Sequence, residues 1–83
     1  MRTVVRHELF EADAKEILSS STAIADEFLE AVEFVLSRRP ESGYQVSPNV
    51  WWIPAYTLSL VVYYAFDETH VYLLSLQRTT LEL

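Results

Sequence analysis

Three observations make this sequence an α+β domain, a helical hairpin packed on a small antiparallel sheet in the order β-α-α-β-β-β. Apolar residues recur at three- and four-residue steps between residues 9 and 36, the period of an amphipathic helix. After Gly43 that period disappears, and short aromatic and β-branched runs take over. Eighty-three residues, 51% of them hydrophobic, suffice for one core and not for two.

The first strand is Thr3-Val4-Val5, β-branched and flanked by Arg2 and Arg6. Phe10, Ala14, Ile17 and Leu18 then trace one face of a helix of about two and a half turns, with Glu11, Asp13, Lys15 and Glu16 opposite. Four hydroxyl residues, 19–22, end it, because their side chains compete for backbone partners. Ser21 or Thr22 is the expected N-cap of a second helix, whose stripe is Ile24, Phe28, Ala31, Val32, Val35 and Leu36. Arg38 and Arg39 suit its negative end, and Pro40 stops it. The short link makes the pair an antiparallel hairpin.

Residues 44–46 and 50–53, bounded by Pro48 and Pro54, suit an edge or bulged strand. Residues 57–66 are apolar on both alternating faces, which places them mid-sheet. Asp67-Glu68-Thr69 is a polar turn, and residues 70–76 return as the hairpin partner. Residues 78–83 are expected to be a tail or a frayed strand end. The whole of 1–83 is read as a single domain.

The net charge of −6 is unevenly spread. Residues 8–37 hold eight acids against Lys15 alone, a balance of −7, and the rest sums to +1. That is a weak footprint for nucleic acid. No cysteine is present, which excludes disulfides, zinc–thiolate sites and thiol nucleophiles. Residues 1–10 have no apolar stretch of secretory-signal length. The longest uninterrupted apolar run, 60–66, is far short of the ~20 residues of a membrane-spanning helix. A soluble protein is expected.

The element order and two motifs resemble the RelE/ParE superfamily of bacterial toxins. The segment Leu60-Val61-Val62-Tyr63-Tyr64-Ala65-Phe66-Asp67 is similar to the family's aromatic-Arg-apolar-apolar-Tyr-x-apolar-Asp strand, matching at Tyr64 and Asp67. Val71-Tyr72-Leu73-Leu74-Ser75-Leu76-Gln77-Arg78 is similar to its closing strand, matching at Arg78. Val61 stands where the family often has arginine, and Gln77 where it often has histidine. The resemblance implies a cytoplasmic type II toxin with an antitoxin partner, of the kind encoded in plasmid stabilization systems. It also implies one of two activities, ribosome-dependent cleavage of messenger RNA or poisoning of DNA gyrase.

A ribonuclease needs a base for the 2′-hydroxyl, an acid for the leaving oxygen and cations for the phosphorane. Arg78 is the candidate cation, with Arg6 beside it and His70 as the imidazole. Arg2, Arg6 and Arg78 facing a −7 hairpin are thin electrostatics for such a task, so action through protein contacts is expected first. Eight of the eleven aromatics follow Gly43, and residues 42–66 carry no charge, which favours packing or a protein interface over base stacking. Trp51 and Trp52 are adjacent and would point to opposite faces of a strand, so one of them is expected to meet solvent or a partner. The only imidazole–carboxylate pair at helical spacing is His7 with Glu11, too few ligands for a metal. No cofactor is expected. A homodimer or a self-associating non-toxic domain is the remaining alternative.

Overall fold

The computed structural model describes residues 1–18, 22–55 and 59–78. Strand β1 (Thr3–Arg6) leads into helix α1 (Glu8–Ile17), followed by α2 (Thr22–Arg38) and a 3₁₀ turn at Pro40–Ser42. Strands β2 (Tyr44–Ser47), β3 (Val50–Ala55), β4 (Leu60–Phe66) and β5 (His70–Arg78) complete one five-stranded sheet in the order β1-β5-β4-β3-β2.

Each helix begins and ends for local reasons. His7 is the N-cap of α1, its Nδ1 accepting the Leu9 N–H at 3.2 Å. Glu8 and Glu11 occupy the first turn and Lys15 the last, matching the macrodipole. Pro40 cannot continue α2, and the chain tightens into the 3₁₀ turn instead. Both helices bury their apolar residues on one side of the sheet. Phe10, Phe28 and Leu36 join Leu60, Val62, Tyr64, Val71, Leu73 and Leu76 in a single core.

Strand β4 is central, paired antiparallel with β3 and β5. The sheet is mixed, however, and not antiparallel throughout: β1 runs parallel to β5. Both helices and the three strands β2–β4 lie between β1 and β5 in the chain, a connection long enough to permit the parallel pairing. A second correction concerns residues 44–55. They form two strands joined at Pro48 and Asn49, because a proline and an asparagine suit a turn and proline cannot donate to a ladder. The stripe of α2 is also rotated from expectation. Phe28, Val32 and Leu36 face the core as expected and Leu29 joins them, whereas Ala31 and Val35 are exposed on the flank. The expected helix stop at 19–21, Ser21 as cap, the Ile24 side chain, the strand start at 57–58 and the tail at 79–83 lie outside the described residues.

Candidate functional site

The turn between β4 and β5 is built around Asp67. Its Oδ1 accepts the N–H groups of Thr69 (2.8 Å) and His70 (2.7 Å), and its Oδ2 accepts the Tyr72 hydroxyl at 3.3 Å. Donation from the Thr69 and His70 backbone holds the Asp67 carboxyl below its ordinary value. His70 has an orienting partner in the residue before it, the Thr69 hydroxyl 2.7 Å from Nδ1. Its ring stacks on Tyr72. Arg2 donates from Nε to the Asp67 carbonyl at 2.6 Å and lies over the Phe66 ring.

The structure does not bring Arg6, His70 and Arg78 together. His70 starts β5 and Arg78 ends it, about 26 Å apart along an extended strand. His70 is registered against Thr3, on the face away from the helices. Arg6 and Arg78 are registered against the core residues Leu73 and Leu60, on the helix side. Arg6 is engaged by α2, its Nε 2.6 Å from Glu33 Oε2, and that hydrogen bond strengthens its hold on the proton. A base, an acid and a cation must reach one phosphodiester within hydrogen-bond distance, and this arrangement does not provide that. Among the described residues no group of three His, Asp or Glu side chains is placed to hold a metal ion.

Two surfaces remain. The first is the sheet face away from the helices. Trp51 sits on the core side beside Tyr64 and Phe66, whereas Trp52, one residue on, faces the opposite way and lies 4.8 Å from the Tyr44 ring. Cross-strand register continues that row from Trp52 to Tyr63, and a parallel row joins Ala65, Tyr72 and Val5. No Lys, Arg, Asp or Glu is turned to this face by the register of the five strands.

The second surface is an open groove of about 670 Å³ between α2 and β1. Glu27, Glu30 and Glu33 line one wall, with Val4, Ala31 and Phe34 as its apolar part. Phe34 is 59% exposed, with the Arg38 guanidinium 3.8 Å above its ring. The Thr3 and His7 N–H groups bond toward β5, to the carbonyls of Thr69 just before it and Leu73 within it, while the Arg2 N–H bonds outward to Ser37. By that alternation the main-chain groups of Val4 and Arg6 point to the outer edge of β1, beside the groove. Sequence reasoning missed the groove because it depends on the turn of α2 that leaves Ala31 uncovered.

No protein-family model matches this sequence, and no curated protein matches it. Among the described residues, no helix is long and apolar enough to cross a membrane.

Proposed function

We propose that this chain is the toxin-like component of a type II toxin–antitoxin pair, cytoplasmic, and that it works through protein contacts. The observation that carries the choice of contact over catalysis is the dispersal of Arg6, His70 and Arg78 over two faces and the full length of β5. The toxin reading itself is supported by the resemblance at Tyr64, Asp67 and Arg78 and by the succession of opening strand, helix pair and meander. Tyr64 and Asp67 have structural work here, one beneath the sheet and the other in a turn, which accounts for such residues without an active site.

The antitoxin segment binds in the α2–β1 groove. An extended chain adds to the outer edge of β1, where Val4 and Arg6 offer main-chain donors and acceptors, and places apolar side chains on Ala31 and Phe34. The activity is either directed at gyrase or degenerate. Purified protein dosed into a cell-free translation reaction is expected to leave messenger RNA intact by primer extension. Ribosome-dependent cuts that disappear in Arg78→Ala would overturn the contact reading and establish a messenger-RNA endoribonuclease. Co-purification from the native host is expected to yield a small antitoxin-like protein that Phe34→Glu releases. Its absence would remove the toxin–antitoxin assignment.

A further inference from the structure

We propose that the helix-free face of the sheet is the interface of a face-to-face homodimer centred on Trp52, Tyr63 and Tyr72. The inference is independent of the toxin reading, since it concerns a different surface and holds whatever the groove binds.

Charge selects the occupant. The helical segment carries −7 of the protein's −6 net charge, while among the described residues the opposite face carries only the imidazole of His70 and, beside it at the same corner, the Asp67 carboxylate that accepts the Tyr72 hydroxyl. A strongly charged partner finds nothing on this face to compensate its desolvation. A second copy brings an equally aromatic surface with no net charge along its strands, and Asp67 at the corner keeps its own donors from Thr69, His70 and Tyr72. Two sheets pack about 10 Å apart, and each helical layer lies about as far again on the outside. The two acidic layers are then separated by roughly 30 Å, several times the ~8 Å screening length at physiological salt. Any pairing through the helices would instead set −7 against −7.

Size agrees with this geometry. The molecule measures 34 × 29 × 20 Å, its short dimension being one sheet and one helical layer. A standard interface of about 800 Å² per partner is roughly one-seventh of the 5769 Å² surface, which one broad face of such a slab supplies. The composition matches an interface centre as well: tyrosine and tryptophan with few rotatable bonds, inside a margin of Tyr44 and Val5, which are 54% and 39% exposed.

Sedimentation velocity across a dilution series tests the idea. The chain is expected to run at twice its monomer mass when concentrated and to dissociate on dilution, with little dependence on salt. Trp52→Glu and the margin variant Tyr44→Glu should each weaken the dimer about tenfold or more. Val35→Glu adds the same charge to the exposed flank of α2 and should leave the dimer intact. Tyr44 is exposed enough that its substitution keeps the fold, which far-UV circular dichroism checks. A monomer at every concentration overturns the proposal. So does a dimer that Tyr44→Glu and Trp52→Glu leave unchanged, or one that tightens steeply with added salt, the mark of contact through the acidic layer.

Discussion

Tyr64 ties three parts of the chain together with one hydroxyl. It donates to the Pro40 carbonyl at 2.5 Å and accepts the Gly43 N–H at 3.1 Å, locking the turn after α2 onto the central strand. Burial pushes its phenol up. Tyr64→Phe leaves the buried Pro40 carbonyl and the half-buried Gly43 N–H without their partner, and is expected to cost about 1–3 kcal/mol in urea denaturation. Gly43 is required for a different reason. Its φ is −88°, so the demand is space: a β-carbon there would strike the Trp52 carbonyl and come within 2.5 Å of the Tyr64 hydroxyl. Gly43→Ala should therefore destabilise by about 1–3 kcal/mol through overpacking. Asp67 makes a pH prediction. Its carboxyl titrates below the unfolded value, so its stabilisation is present above the ordinary carboxylate range near ~3.9 and is lost as pH falls through the lower, folded value. The difference in melting temperature between the wild type and Asp67→Asn should shrink on acidification. A constant difference would show that the carboxylate charge contributes nothing.

Elements are joined by a few polar contacts laid over the apolar core. The Arg6–Glu33 pair fastens β1 to α2, with side chains 38% and 27% exposed. At that exposure solvent screens most of the attraction, and Glu33→Gln is expected to cost no more than about 1 kcal/mol, less at high salt. Asp13 of α1 does more for the fold than its position on a polar helix face suggests. Its Oδ2 accepts the Leu76 N–H at 3.1 Å, on the part of β5 beyond the end of β1. Asp13→Ala exposes or orphans that donor and should cost about 1–2 kcal/mol in the same assay, with the denaturant slope unchanged. Helix and strand identities were legible in the sequence because periods of 3.6 and 2 are local properties. The split at Pro48 and Asn49, and the parallel partner of β1, were not. Pro48 and Asn49 are a local turn signal, but whether the residues on either side pair with each other, like the choice of partner for β1, depends on which strand lies alongside.

The whole molecule has two unlike sides, an acidic helical layer and a neutral aromatic sheet. Adjacent tryptophans divide between them, and their substitutions should divide too. Trp51→Ala opens a hole beside Tyr64 and Phe66 and is expected to cost the monomer about 3 kcal/mol, whereas Trp52→Ala should cost clearly less. Equal losses would mean that the sheet's free face contributes as much to the core as the covered one.

Composition and periodicity alone established a small α+β chain with its acidity in the helices, a central strand within residues 57–66 and two adjacent tryptophans on opposite faces of another strand. These follow from local sterics and from alternation, which need no knowledge of distant contacts. Which tryptophan faced outward, the separation of Arg6, His70 and Arg78, and the groove beside β1 required the assembled fold. Register and helix rotation set them, through the packing of Phe28, Leu36 and Phe10 against a sheet assembled from residues far apart in the chain.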